Sequence, residues 1–245
     1  MLEVNGVTKT FGGIVALKDV TFDVREGEIV GLIGPNGAGK TTLINVISGV
    51  YKPDSGRVIF HGKDVTKMTP EQRCHLGISR TYQIPQPFPE MTVLLNVVTA
   101  CIYGKRKRGL SLDEAMDEAK YFLEFVGLSK KMNVLAKDLN IYELRKLELA
   151  RALATKPRLL LIDEAMAGLN PLQSSEAVKL ICEAREKFNL TILWIEHVMS
   201  IIMKAAERII VLHQGMKIAE GEPKEISRDK KVIEAYLGEE IGEHP

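Results

Sequence analysis

The fold is decided by Gly34-Pro35-Asn36-Gly37-Ala38-Gly39-Lys40-Thr41. The residues before it, 29–33, are apolar or glycine and predict a buried strand, and a helix is predicted from Thr41. Glycines at this spacing let backbone N–H groups close around a phosphate, and the positive end of the helix adds to the attraction. The alternative is a glycine-rich strand-to-helix turn without a ligand. The Lys-Thr pair in register favours a nucleotide site of the phosphate-loop type.

A second motif supplies the acidic side of such a site. Four apolar residues, Leu159 to Ile162, predict a fully buried strand that ends in Asp163 and Glu164. Ligands bind at the carboxyl ends of the strands in α/β sheets. We therefore predict that Thr41 and Asp163 hold Mg²⁺, that Lys40 reaches the β- and γ-phosphates, and that Glu164 is the base for an attacking water. The alternative role of Glu164 is to cap the next helix.

Strand signals occupy both ends of the chain. Gln214-Gly215 also predicts a hairpin turn into a last strand at 217–220. Helical segments separate the later strands, which is typical of a parallel α/β sheet. The predicted strands are Leu2–Val4, Leu17–Val24, Arg57–His61, Leu159–Ile162, Thr191–Ile195 and Arg208–Leu212.

Three alternating prolines divide the chain at residues 84–89, because they prevent both a helix and a central strand there. After this junction the apolar spacing is helical, with helices predicted over 112–126 and 142–154.

We predict an α/β fold and a single domain over 1–245: a phosphate-loop (RecA-like) core with a parallel sheet and an N-terminal antiparallel β part, a helical insertion and a C-terminal tail. The predicted bounds are 1–87 with 155–225 for the core, 88–154 for the helical subdomain and 226–245 for the tail.

Composition excludes several classes of protein. The chain has 33 Lys and Arg against 32 Asp and Glu, a net charge of +1, which argues against a nucleic-acid partner. The basic run at 105–108 is expected in a solvated loop, with a phosphate or lipid contact as the alternative. The longest apolar runs have four residues and the first ten residues lack a signal-peptide pattern, so we expect neither a membrane span nor secretion. Three separated cysteines fit a reducing cytoplasm.

With these motifs the chain resembles the ATP-binding subunits of ABC transporters, most closely those of branched-chain amino-acid importers, over nearly its whole length. Arg80-Thr81-Tyr82-Gln83 resembles the Q-loop, which implies that Gln83 contacts Mg²⁺ and senses a membrane subunit. His197 matches the switch histidine, which implies a contact with the γ-phosphate. The alternatives are a polar strand end for Gln83 and a structural role for His197.

Further residues carry the same resemblance. It implies that the ATP phosphates bind to the phosphate loop and the start of its helix, through Gly34, Pro35, Asn36, Gly37, Ala38, Gly39, Lys40, Thr41 and Thr42. Phe11 corresponds to the aromatic residue that stacks on adenine; the alternative is that it fills a small sheet core. Asn170 ends a segment similar to the D-loop, but Asn170-Pro171 also reads as a helix cap followed by proline at the first helical position.

The signature segment departs from the family pattern, usually LSGGQ or LSYGQ. Here Leu139-Asn140-Ile141-Tyr142-Glu143 stands in that place, with the downstream register intact. In the family this segment of one subunit closes over the ATP of the other. Asn140 can still cap the helix and bind there, but Tyr142 is bulky where backbone and phosphate approach closely, and Glu143 adds negative charge. We hypothesise that this chain's own signature segment is a weak lid.

The resemblance implies an energy-coupling ATPase that binds ATP and Mg²⁺ and closes head to tail with a second ATP-binding subunit. Its expected partners are integral membrane subunits and, indirectly, a solute-binding protein. Its expected place is the cytoplasm, peripheral on the inner face of the cell membrane. The rivals are a soluble ABC-type ATPase without a transport role and a nucleotide-dependent regulator with low turnover.

Overall fold

The computed structural model describes residues 1–104, 109–196 and 199–241. They form two compact units, one built from 1–70 with the chain from 191 onward, the other from 71–190. The strands are β1 (Leu2–Phe11), β2 (Ile14–Val24), β3 (Ile29–Ile33), β4 (Ser55–Phe60), β5 (Lys63–Asp64), β6 (Ile78–Arg80), β7 (Leu159–Asp163), β8 (Thr191–Ile195), β9 (Arg208–His213) and β10 (Met216–Gly221). The helices are α1 (Lys40–Ser48), α2 (Pro70–Leu76), α3 (Val93–Tyr103), α4 (Leu112–Phe125), α5 (Ile141–Ala154), α6 (Pro171–Phe188), α7 (Met199–Ala205), α8 (Pro223–Ile226) and α9 (Lys230–Ile241).

An antiparallel sheet with the strand order β2-β1-β4-β5 opens the first unit. Buried and solvent-facing residues alternate over the first four residues of β1, as a strand with one covered face requires, and Leu2 pairs with Val24 and Val4 with Phe22. The predicted antiparallel β part is confirmed. Its first two strands are longer than predicted because they continue into a tight turn, where Gly12 takes a left-handed backbone (φ 59°).

The parallel sheet of the first unit places the phosphate loop. All five residues of β3 are buried, and this strand pairs in parallel with both β8 and β9, while β10 runs antiparallel to β9. A strand that is covered on both faces reads as a continuous apolar run, which is why β3 and β8 begin and end where predicted. The α/β class with a parallel sheet is confirmed.

The second unit pairs β6 in parallel with β7 and packs α3 against α4 and α5. The proline junction at 84–89 contains neither helix nor strand, as predicted. Asn96, which is fully buried in α3, fixes its end: Phe88 N–H donates to Asn96 Oδ1 (2.8 Å), and Asn96 Nδ2 donates to the Phe88 carbonyl (3.1 Å). The division into core, helical subdomain 88–154 and tail remains a prediction.

None of the helices in the described ranges has the length and the apolar composition that a membrane span requires.

Candidate functional site

The phosphate loop runs from the end of β3 to the start of α1. The N-cap of α1 is Gly39, in a left-handed backbone (φ 98°), and no side chain caps this helix end. The first turn of α1 contains no acidic residue. The helix therefore directs its N–H groups and the positive end of its dipole at the loop, with no carboxylate in that turn to offset them.

Lys40 lies over this loop and is almost buried, at 5% exposure. Its Nζ donates to the carbonyl oxygens of Gly34 (2.6 Å) and Pro35 (2.8 Å). The ammonium therefore sits among the main-chain groups that were predicted to surround a phosphate. A buried cation in such a place is a strong anion attractor because little water screens it.

Two loop glycines are required for steric reasons. A Cβ on Gly34 would lie 2.1 Å from the carbonyl oxygen of Leu212, and one on Gly39 would lie 2.5 Å from that of Ala16. Asn36 and Gly37 are exposed, Ala38 is buried, and Thr41 and Thr42 lie in the first turn of α1. The loop is thus pressed against its own unit on one side and open to solvent on the other.

Phe11, the predicted adenine platform, lies at the end of β1 and is 42% exposed. Its ring meets Tyr51 edge to face at a centroid distance of 5.1 Å, and Lys9 Nζ lies 5.4 Å from its centroid. The ring is supported from beside rather than enclosed. This exposure is what stacking needs, and the stacking role remains a prediction.

The second unit carries the acidic motif. Asp163 ends β7 with 1% exposure, and its Oδ2 accepts a hydrogen bond from Arg80 Nη2 at 3.0 Å. Arg80 ends the neighbouring parallel strand β6, and its guanidinium stacks on the Tyr82 ring at 4.4 Å. The ion pair compensates the cost of burying the Asp163 carboxylate and fixes its orientation.

Glu164 follows in a left-handed backbone (φ 49°), an unusual conformation for a residue with a side chain. It is 8% exposed, and its Oε2 accepts a hydrogen bond from Gln83 Nε2 at 2.6 Å. The structure thus brings together two predicted site residues that are 81 positions apart in the chain.

Sequence reasoning missed two residues in α5 that hold the Gln83 loop. Arg145 donates to the carbonyl oxygens of Tyr82 (2.9 Å) and Gln83 (2.7 Å), and Glu148 accepts the Tyr82 N–H (2.6 Å). Burial raises the pKa of Glu148 to about 7, although the Tyr82 N–H and the nearby arginines act to lower it. The only available signal was that charged residues interrupt the apolar face of a predicted helix.

The signature segment forms the N-terminus of α5. Asn140 is its N-cap: its side chain accepts from the Glu143 N–H (3.0 Å), and Glu143 accepts from the Asn140 N–H (3.1 Å). Lys131 pairs with Glu143 at 2.6 Å, and Tyr142 donates its hydroxyl to Glu176 at 2.7 Å. The capping role predicted for Asn140 is confirmed, and the lid hypothesis for this segment remains open.

Asn170 is the N-cap of α6, with Pro171 in the first turn, and its side chain accepts from the Gln173 N–H at 2.9 Å. The structural alternative for Asn170 is therefore present in the fold, and its D-loop role remains a prediction. The predicted switch histidine, His197, and the basic run 105–108 lie outside the described residues.

The donor set of the predicted metal site fits Mg²⁺. A hydroxyl (Thr41), an amide (Gln83) and a carboxylate (Asp163) are the oxygen ligands that this ion accepts, and a nucleotide site binds it through few protein groups plus phosphates. Within the described residues, no group of three or more His, Cys, Asp or Glu side chains is placed to hold a metal.

Known protein families and relatives match this chain. The model of the ABC transporter family matches residues 17–167, and that of the branched-chain amino acid ATP-binding cassette transporters matches 216–241. The high-affinity branched-chain amino acid transport ATP-binding protein LivG of Salmonella typhimurium is 41% identical, over 98% of each chain.

Solved structures lead to the same family. An ABC transporter cassette in its ADP conformation is 37% identical, with a TM-score of 0.88 over 97% of this chain and 98% of that one. A dimeric bacterial ABC transporter cassette is 27% identical, with a TM-score of 0.83 over 91% and 99%. The resemblance stated from the motifs is confirmed, and neither rival is supported. The chain belongs to the ABC transporter family, as one of its ATP-binding, ATP-hydrolysing subunits.

Proposed function

We propose that this subunit powers the import of branched-chain, hydrophobic amino acids. The proposal rests on the names of its relatives and on the match of residues 216–241 to the branched-chain amino acid cassette family. It works on the cytoplasmic face of the cell membrane with integral membrane subunits and a second ATP-binding subunit, and a separate solute-binding protein delivers the amino acid.

The contact between Gln83 and Glu164 is the observation that carries the mechanism. Glu164, buried and held at 2.6 Å by the Gln83 amide, accepts the proton of the water that attacks the γ-phosphate. Lys40 and the N–H groups at the start of α1 stabilise the charge that develops on the phosphate, and His197 adds a further contact. Thr41, Gln83 and Asp163 would hold Mg²⁺, which would supply positive charge to neutralise the phosphates.

The second ATP-binding subunit differs from this chain. Two N–H groups at the start of α5 are taken by Asn140 and Glu143 themselves, and the Tyr142 side chain, tied to Glu176, occupies the position of a glycine. In a head-to-tail pair this segment is a weak lid for the partner's ATP, whereas the partner's own signature closes over the ATP held here. The two sites of the pair then turn over unequally.

The proposal is tested with Glu164→Gln, in the complex purified through a tag on this chain. We expect ATPase activity to fall by about 100-fold or more while ATP still binds, because the base is lost and the phosphate loop is intact. Glu124→Gln, an exposed residue of α4, is the matched control and should keep full activity. Full activity of Glu164→Gln would contradict the assignment of the base.

Two further measurements test the partners and the substrate. Size-exclusion chromatography of the isolated Glu164→Gln chain with ATP should show a monomer; an ATP-dependent dimer would contradict the weak lid.

Uptake of labelled leucine, isoleucine and valine should be lost in cells without this subunit and restored by the wild type but not by Glu164→Gln. Unchanged uptake of all three would contradict the substrate class.

A further inference from the structure

Two charged side chains of α5 fix the main chain of one dipeptide. Arg145 holds the carbonyl groups of both Tyr82 and Gln83, and Glu148, almost one turn further along, holds the Tyr82 N–H. Arg145 and Glu148 lie 3.6 Å apart, and each is only 7% exposed. Since residues 82 and 83 belong to no helix or strand, these three bonds determine where their backbone runs.

The same arginine also reaches the segment after the proposed base. Arg145 Nη2 lies 3.4 Å from the carbonyl oxygen of Ala167, three residues beyond Glu164. The Gln83 amide in turn contacts the Glu164 carboxylate at 2.6 Å. The Arg145 guanidinium therefore contacts the backbone near both partners of the Gln83–Glu164 hydrogen bond. It binds carbonyl groups of the Gln83 loop on one side and the Ala167 carbonyl group on the other.

A buried ion pair is a poor way to gain stability, because desolvation offsets most of its attraction and apolar residues of similar volume would pack as well. What such a pair can provide is a fixed orientation of the groups that it hydrogen-bonds. A planar guanidinium with several N–H groups fixes two carbonyl oxygens at defined angles, which an apolar side chain cannot do. The pair on α5 is thus suited to hold a loop in a precise position.

We propose that Arg145 and Glu148 are positioning residues for ATP hydrolysis, which fix the backbone of Tyr82 and Gln83 so that the Gln83 amide meets the Glu164 carboxylate. The inference rests on the proposed role of Glu164 as the base. Neither residue touches the nucleotide in this scheme, so both act on the rate of hydrolysis and leave ATP binding nearly unchanged.

The test is a double-mutant cycle in the purified complex, with Arg145→Lys, Gln83→Ala and the combination. Lysine keeps the charge but has no fork to hold two carbonyl groups. We expect kcat of Arg145→Lys to fall by about tenfold or more with little change in KM for ATP, since hydrogen bonds to charged groups are worth at least that factor. In the Gln83→Ala background the same substitution should have little further effect, because its target is gone.

Two controls separate positioning from general damage to the fold. Arg151→Lys, on the same helix, loses the hydrogen bond to the Gln86 carbonyl but keeps a positive charge near Glu148 and the Phe88 ring, and should keep near wild-type kcat. Glu148→Gln retains an acceptor for the Tyr82 N–H and should retain kcat, whereas Glu148→Leu should lose it. Equal losses from Arg145→Lys with and without Gln83, or a loss confined to KM, would overturn the proposal. Failure of the base itself would show separately, as full activity of Glu164→Gln.

Discussion

The N-termini of α1 and α5 both belong to segments that we predict to lie at ATP, yet they are built in opposite ways. Helix α1 begins after Gly39, with no capping side chain and no acidic residue in its first turn. Helix α5 begins after Asn140, which forms a reciprocal capping box with Glu143. The first end offers its N–H groups and dipole to an anion, whereas the second satisfies its own N–H groups and carries a carboxylate.

We infer from this difference that a helix N-terminus is available to phosphate where its own side chains leave its N–H groups open. Glycine at the cap forgoes the hydrogen bond of a capping side chain, at a cost of roughly a few tenths of a kcal/mol, and leaves the helix N–H groups open to a ligand. The capping box of α5 does the reverse, because it stabilises the helix and occupies N–H groups at its start. Three experiments test this contrast.

The largest effect is expected at the N-terminus of α1, which no side chain caps, from the substitution Gly39→Ala. The added Cβ would lie 2.5 Å from the Ala16 carbonyl oxygen in a backbone of φ 98°, so the loop must move. Since strain of this kind costs several kcal/mol, we expect ATP affinity to fall by about 100-fold or more in a fluorescent-nucleotide titration.

Gly62→Ala is its matched control. That glycine also has a left-handed backbone (φ 72°), but its Cβ would meet open space. It should lose about 1 kcal/mol of stability and no ATP affinity. If Gly39→Ala and Gly62→Ala bound ATP with equal affinity, the N-terminus of α1 would not have the role in ATP binding that distinguishes it from that of α5.

The second-largest effect concerns two carboxylates of α5, Glu148 in its middle and Glu143 in its first turn, whose pKa values are shifted in opposite directions. Burial raises the pKa of Glu148 to about 7, above its ordinary 4.5. The folded state therefore keeps a proton that the unfolded chain loses, and stability from this group falls as the pH rises from about 4.5 to about 7. Glu148→Gln removes this dependence. Relative to wild type it should gain stability with rising pH, by roughly 3 kcal/mol at most, in urea unfolding at pH 5 and pH 8.

Glu143→Gln is the control with the opposite sign. Partial burial acts to raise the pKa of Glu143, but Lys131 and the Asn140 N–H outweigh it, so the pKa is lowered. The stability that this group adds is present at neutral pH and lost as the pH falls through the lowered pKa. Glu143→Gln should therefore be less stable than wild type at both pH 5 and pH 8, and this difference should shrink only at a pH below the lowered pKa. The same trend in both variants would contradict the distinction.

The smallest effect sharpens the contrast at the closed end. Asn140→Ser with Tyr142→Gly retains a helix cap and removes the side chain tied to Glu176. Because a helix dipole is worth up to about 2 kcal/mol in favourable geometry, we expect ATP turnover of the isolated chain, measured at high protein concentration, to rise by about tenfold. Asn140→Ser alone should have little effect. No increase in the double variant would show that these residues do not limit closure.

Most of the fold could be predicted, because it depends on periodicity that local sequence displays. Strands β3 and β8 have the predicted bounds, and α4 and α5 differ from prediction by one residue at one end. Helix α3 was not predicted, because its start is marked in the sequence by one capping residue: Thr92, whose side chain accepts a hydrogen bond from the Leu95 N–H. The bounds of β1 depend on pairing with β2 and β4, which local sequence does not display.

The phosphate loop, the acidic end of β7 and the family could be read from the sequence, because each depends on contiguous motifs whose residue types the chemistry requires. Other contacts exist only in the folded chain: Arg80 pairs with Asp163, and Arg145 and Glu148 hold the Gln83 loop. Those partners are 83, 62 and 66 positions apart in the chain. No periodicity or spacing encodes such contacts. They arise because the packing of β6 beside β7 and of α5 against their loops brings charged groups into water-poor surroundings, where each must find a partner.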